Sequence, residues 1–87
     1  MTIDDVYTIT GRGTAVSGKI TRGTIKLNDK IQLTGPNNEK IETTVIDIII
    51  FNKQFDYAMA GDSVSLVLKD VNRSSIRRGW IITEPID

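Results

Sequence analysis

The 87-residue sequence contains no cysteine and no histidine. Without cysteine there can be no disulfide or thiolate ligand, and without histidine the chain lacks a common zinc ligand and the commonest general base. No pair of carboxylates stands at a catalytic spacing, so the requirements for an active site are not met. We therefore expect a domain that is not an enzyme and that binds no cofactor and no metal.

The chain also lacks an excess of either charge, because eleven basic residues balance eleven acidic ones. A free-standing nucleic-acid-binding domain usually carries a basic excess, so any such contact here must be confined to a local cluster. The longest apolar run, residues 48–51, is far shorter than the ~20 residues that a transmembrane helix needs. The acidic start does not resemble a signal peptide. These features predict a cytoplasmic protein without a membrane segment.

Short β-branched and aromatic segments alternate with turns that contain glycine or asparagine, which is typical of an all-β fold. Residues 14–21 alternate with period two, and Gly18 on their apolar face predicts a bend or a close backbone approach. Residues 39–51 form the longest β-like run, and both faces of its apolar second half should be covered. Residues 52–61 fit either a loop or a helical turn, while Ser74 and Ser75 can cap a short turn. We predict one domain over residues 1–87, a small closed antiparallel β-barrel of six to seven strands, because closure leaves no sheet edges.

Residues 13–20, G-T-A-V-S-G-K-I, come close to the phosphate-binding loop G-x-x-x-x-G-K-[ST]. However, Ile20 stands where that loop needs the hydroxyl that binds magnesium. The loop should also open a helix, whereas the residues after Lys19 are β-branched and include a glycine, which disfavours a first helical turn. We interpret the match as coincidental.

Several blocks of this chain resemble the second domain of elongation factor Tu and related translational GTPases. They are I-D-D-V-Y-T-I (3–9), G-R-G-T-A-V-S-G-K (11–19), R-G-T-I-K (22–26), A-G-D-S-V (60–64) and I-R-R-G (76–79). The resemblance spans essentially the whole chain and implies a closed antiparallel β-barrel that contacts tRNA or ribosomal RNA in protein synthesis. In that family the GTP site lies in a separate preceding domain, which we expect to be absent from this chain.

The resemblance also implies where RNA would bind. Asp4, Asp5 and Tyr7 match the acidic pair and the aromatic residue that line the aminoacyl pocket of Tu-like factors, and Arg78 matches an arginine near the 5′ end of the tRNA. Taken by themselves, the two aspartates could equally be solvated surface residues, and Tyr7 could belong to the core or the rim of the barrel.

Two positions depart from the family pattern. The family has a glutamate that packs against the terminal adenine where this chain has Ile49, and an asparagine where it has Ser63. The loss of both polar groups favours an alternative function, a structural or protein-interaction barrel that does not bind RNA. In that case we expect Ile49 and Trp80 to form an apolar patch on which a GTPase domain or another protein docks.

Basic residues occur in two groups. Arg73, Arg77 and Arg78 form the tighter group, and arginine suits bidentate contacts with phosphate, so they are the candidate RNA-binding cations. The looser group either contacts phosphate as well or keeps the exterior of the strands soluble; it comprises Arg12, Lys19, Arg22, Lys26 and Lys30. Ser17 and Ser65 have no base arranged beside them by any motif, and we interpret both as structural.

Overall fold

The computed structural model describes residues 1–83, which form nine β-strands and one short 3-10 helix, Arg73–Ser75. No helix within these residues has the length and apolar character needed to cross a membrane. In chain order the strands are β1 (Asp5–Ile9), β2 (Gly13–Lys19), β3 (Thr24–Lys26), β4 (Lys30–Thr34), β5 (Lys40–Ile50), β6 (Lys53–Phe55), β7 (Tyr57–Met59), β8 (Ser63–Leu68) and β9 (Ile81–Thr83).

All pairings between the strands are antiparallel, and the seven-stranded sheet runs in the order β1-β2-β8-β5-β4-β9, with β6 added beside β5. Strands β3 and β7 form a separate two-stranded ribbon. The prediction of an all-β antiparallel fold is confirmed, and the main sheet has seven strands, within the six to seven expected, while the ribbon adds two more. The interpretation of residues 52–61 as a loop or a helical turn is wrong, because they contain β6 and β7. Every residue of β6 is exposed, so this strand has no alternating pattern to reveal it.

Backbone hydrogen bonds join the amino-terminal residues to the last strand of the sheet. The amide of Ile3 donates to the carbonyl of Trp80 at 2.8 Å, and the amide of Ile82 donates to the carbonyl of Met1 at 2.7 Å. The segment that precedes β1 therefore lies beside β9, at the other end of the strand order.

The inward faces of the strands pack into one hydrophobic core. Alternation decides which residues enter it, since successive side chains on a strand point to opposite faces. Its largest fully buried side chains are Ile3, Val16, Ile20, Ile25, Leu33, Val45, Ile48, Leu66, Val67, Leu68 and Ile82.

A β-bulge interrupts the long strand β5. Val45 pairs with Leu68 and Asp47 pairs with Val67, which leaves Ile46 as an extra residue between them. An inserted residue has no place in the regular alternation of faces, and the side chain of Ile46 is 41% exposed. The prediction that both faces of this apolar segment are covered is therefore wrong at Ile46, and it is also wrong at Phe51, whose side chain is 91% exposed just after β5.

Strand β2 decides between the two interpretations of the glycine-rich segment. Residues 13–19 pair with β1 and β8 along their length, and the amide of Ile20 donates to the carbonyl of Asp62. A phosphate-binding loop would instead leave its amides open at the start of a helix. The interpretation of the P-loop match as coincidental is confirmed.

The predicted close backbone approach at Gly18 is also confirmed. A Cβ atom at this position would lie 2.4 Å from the carbonyl oxygen of Thr2. We expect Gly18→Ala to lower the free energy of unfolding by about 1–3 kcal/mol, because the backbone of the amino-terminal segment must shift to admit a methyl group. Urea denaturation measures this change, with Ser17→Ala on the same strand as the control. Equal stability of Gly18→Ala and the unchanged chain would contradict the observed packing.

Candidate nucleic-acid interface

A groove of about 490 Å³ lies beside β1, β2, β8 and the end of β5. It brings together Asp4 and Tyr7, which the resemblance placed in a binding pocket, with Ile49 and Ser63, the two positions that depart from the family pattern. These residues come from three separate parts of the chain. The antiparallel pairing of the strands is what places them beside one groove.

Strand register explains how the groove is built. Ser17 lies opposite Ser65, and Ser65 lies opposite Ile49, so the three side chains form a row across β2, β8 and β5. Tyr7 pairs with Ala15 on β2, yet its hydroxyl donates a 2.6 Å hydrogen bond to the Oγ of Ser65, one strand further on. The phenol ring therefore lies across β2, and this hydrogen bond fixes its position. Ser65 thus holds the hydroxyl of Tyr7 in place.

The groove combines apolar and hydroxyl groups. Ile49 is half-buried, Ser63 and Asp4 are exposed, and the hydroxyl of Tyr7 is already engaged with Ser65. Among residues 1–83, no lysine or arginine lines this groove. Its residues can contact a small flat group and accept or donate hydrogen bonds, but they cannot neutralise a phosphate.

A second groove, of about 620 Å³, lies beside β1 and the 3-10 helix and contains the predicted cations. Arg73, Arg77 and Arg78 line it together with Asp5 and Val6. All three arginines are exposed, and the Nε of Arg73 donates to the carbonyl of Val6 at 3.3 Å. The structure thus divides the predicted site residues between two grooves that both border β1, with Asp4 and Tyr7 in one and Asp5 with the arginines in the other.

The predicted surface patch of Ile49 and Trp80 is not formed. Trp80 is only 6% exposed and belongs to the hydrophobic core. A Cβ atom at Gly35 would lie 2.7 Å from its ring, so the indole packs directly against that glycine. Trp80 stands just before β9, between Gly79 and Ile81, which are both exposed.

Sequence reasoning missed an ion pair between Arg12 and Asp47. The Arg12 guanidinium donates to the Oδ2 of Asp47, which also accepts from the Nε2 of Gln54 at 2.8 Å. The other oxygen of Asp47 accepts from the backbone amide of Ile48 at 2.9 Å. Arg12 thus compensates the charge of a buried carboxylate. The available signal was a single carboxylate within the apolar second half of β5, which needs a partner when buried.

Acidic side chains do not cluster within residues 1–83 in a way that could hold a metal ion.

Comparison with known families adds to these observations. The family model for elongation factor Tu domain 2 matches residues 13–83, from the first residue of β2 to the last residue of β9. This match takes in Ile49, Ser63 and the three arginines, and it covers well over half of the chain. The chain belongs to the elongation factor Tu domain 2 family.

Proposed function

We propose that this domain is a non-catalytic, cytoplasmic module of a translational GTPase that contacts tRNA or ribosomal RNA beside a GTP-binding domain. The observation that carries the proposal is the pair of grooves that border β1. One offers an aromatic ring, hydroxyls and an apolar wall, and the other offers three arginines. The bases and the phosphates of a nucleic acid are recognised by different chemistry, and the two grooves offer a surface for each.

The arginine groove suits the phosphate backbone. Guanidinium groups form bidentate contacts with phosphate, and Arg77 and Arg78 are exposed where they could do so. The domain as a whole is neutral, so a local cluster of this kind is the way in which it would attract a polyanion. The groove beside Tyr7 would then receive an unpaired end of the same RNA, because it lies across β1 from the cations.

We further propose that the sheet closes into a barrel. The hydrogen bonds from Ile3 to Trp80 and from Ile82 to Met1 support closure, because they link the segment before β1 to the region of β9. Closure would hold β1, which borders both grooves, between β2 on one side and the region of β9 on the other.

Removal of the arginines at the edge of the second groove should weaken RNA binding. We expect Arg78→Ala to lower the affinity for an acceptor-stem RNA at low salt by about 5- to 10-fold, as for the loss of one solvent-exposed contact worth about 1–1.4 kcal/mol. It should also reduce the salt dependence of binding by about 0.7–0.9 in log–log slope, because one fewer phosphate is neutralised. Fluorescence anisotropy with a labelled hairpin measures both quantities.

Arg22→Ala is the matched control for this experiment, because Arg22 is exposed and lies in neither groove. It should leave both the affinity and the salt slope unchanged. If the unchanged chain shows no binding at roughly tens of micromolar, the range of non-specific affinities, the RNA proposal fails.

A protein-interaction module that does not bind RNA is the second candidate function. Phe55, Tyr57 and Met59, on β6 and β7, are each about half-exposed, and large exposed apolar side chains are typical of partner surfaces. This candidate predicts that the chain binds a GTP-binding domain of the same factor and leaves acceptor-stem RNA unbound. The titration described above separates the two candidates.

A further inference from the structure

The second groove contains a serine beside its arginines. Ser74 and Ser75 belong to the 3-10 helix that follows β8, and both are exposed. Ser74 lines the groove, whereas Ser75 does not. The cations that share the groove with Ser74 are Arg73, Arg77 and Arg78. A hydroxyl at the surface is therefore placed among three guanidinium groups.

The two serines do not cap the helix. Asn72 occupies the N-cap position with extended backbone angles, and Ser74 and Ser75 lie inside the helix. The prediction that these serines cap a short turn is therefore wrong. Exposed residues without such a role can be changed at little cost in stability, so a modified Ser74 is compatible with the fold.

The segment around Ser74 is both fixed and accessible. The buried side chain of Ile76 holds it against the core, and the Nε of Arg73 donates to the carbonyl of Val6. The backbone is extended at Asn72 and at Ile76, on either side of the helix. Protein kinases discriminate between substrates by the charges that flank the hydroxyl, and here arginines flank it on both sides. Ser74 thus presents the features of a kinase substrate.

We infer that Ser74 is a phosphorylation site and that its phosphate occupies the arginine groove in place of RNA. A protein kinase would transfer the γ-phosphoryl group of ATP to the Oγ of Ser74. The new O–P bond forms as the bond between the γ-phosphorus and the bridging oxygen of ADP breaks, and the hydroxyl proton passes to a base of the kinase. The displacement of RNA rests on the proposed function, whereas the modification itself does not.

The charges of the groove decide what such a phosphate would do. Three arginines and Asp5 are the charged residues that line the groove, which gives it a net charge of +2. A phosphoserine adds about −1.5 to −2 at neutral pH and so brings this charge close to zero. Its oxygens accept charge-assisted hydrogen bonds from guanidinium groups, in place of those that an RNA phosphate would accept. A groove without a net positive charge no longer attracts a polyanion.

The first test asks whether the arginines hold the phosphate when no RNA is present. Phosphoserine is incorporated genetically in place of Ser74, and its phosphate is titrated by phosphorus NMR. We expect its second pKa to lie about 0.5–1 pH unit below the usual value of about 6, because nearby cations favour the dianion. The substitutions Arg77→Gln and Arg78→Gln together should restore the usual value. An ordinary pKa with all three arginines present would overturn the inference.

The second test measures the affinity of the same protein for the acceptor-stem hairpin. The phosphate would engage two contacts of the kind lost in Arg78→Ala, so the affinity at low salt should fall by about 25- to 100-fold. The matched control carries phosphoserine in place of Asn37, which is exposed between β4 and β5 and lines neither groove. This control has the same net charge and should bind as the unchanged chain does. Equal losses for the two proteins would overturn the inference, since net charge alone would then explain them.

The third test examines the protein from the cells that produce it. Peptide mass spectrometry should find phosphate on Ser74 and not on Ser75. Phosphate on Ser75 alone, or on neither serine, would overturn the inference. If the unmodified chain binds no RNA, the proposed function and the displacement of RNA fail together. The NMR titration and the mass spectrometry would still decide whether Ser74 carries a phosphate that the arginines hold.

Discussion

Trp80→Ala is expected to lower the free energy of unfolding by about 3–5 kcal/mol, as for the truncation of a large aromatic side chain in a core. Trp80 is buried among the core residues, and its ring lies directly against Gly35. The carbonyl of Trp80 accepts a hydrogen bond from the amide of Ile3. Because this bond holds the backbone in place, the cavity left by removal of the indole cannot close freely. A domain of this size is stable by roughly 4–13 kcal/mol, so the substitution removes a large part of its stability.

Urea denaturation followed by circular dichroism measures this loss. Ile81→Ala is the matched control, because Ile81 is the next residue in the chain and is half-exposed, and it should cost less than about 1 kcal/mol. A comparably small effect of Trp80→Ala would mean that the indole lies on the surface after all, and would restore the original prediction of a patch with Ile49.

Arg12→Ala is expected to lower the free energy of unfolding by about 2–4 kcal/mol. The carboxylate of Asp47 is only 6% exposed, while the side chain of its partner Arg12 is 39% exposed. Removing one member of a buried pair leaves an uncompensated charge and costs about 3–5 kcal/mol. We place the effect somewhat lower, because Gln54 and the amide of Ile48 still donate to the carboxylate and water can reach the site that Arg12 leaves.

A double-mutant cycle with Asp47→Asn tests the cause of this effect. If Arg12 acts by compensating the carboxylate, Arg12→Ala should cost much less in the Asp47→Asn background than in the unchanged chain. Arg22→Ala provides the control for removal of an exposed arginine and should change stability by less than about 0.5 kcal/mol. Additive effects of the two substitutions would contradict the pairing.

Strands in which apolar and polar residues alternate could be predicted from the sequence, and strands without this alternation could not. Strand β8 places Val64 and Leu66 inward, with Ser63 before Val64 and Ser65 between the two, so its period of two is plain over residues 63–66. In β6, however, all three residues are exposed, and only pairing with β5 holds them in a strand. The bulge at Ile46 is likewise set by the partner strand and has no local signal in the sequence.

The candidate site was predicted only in part, for a similar reason. Asp4 and Tyr7 were identified by resemblance, and they do lie beside one groove. The hydrogen bond between the Tyr7 hydroxyl and Ser65 could not be predicted, because it depends on the register between strands that are distant in sequence. Trp80 was predicted to lie on the surface but is buried in the core. A residue that flanks a short strand gives no indication of which side of the sheet its side chain faces.

The most direct test of the RNA-binding role is to map the contact surface by NMR. Backbone amide shifts of the isotope-labelled chain are followed during titration with the acceptor-stem hairpin that carries a single-stranded 3′ end. We predict that the largest changes fall at the two grooves, around Tyr7, Phe51 and Ser63 on one side of β1 and around Arg77 and Arg78 on the other. Changes confined to β6 and β7, or an unchanged spectrum at saturating RNA, would contradict the proposal that these grooves bind RNA.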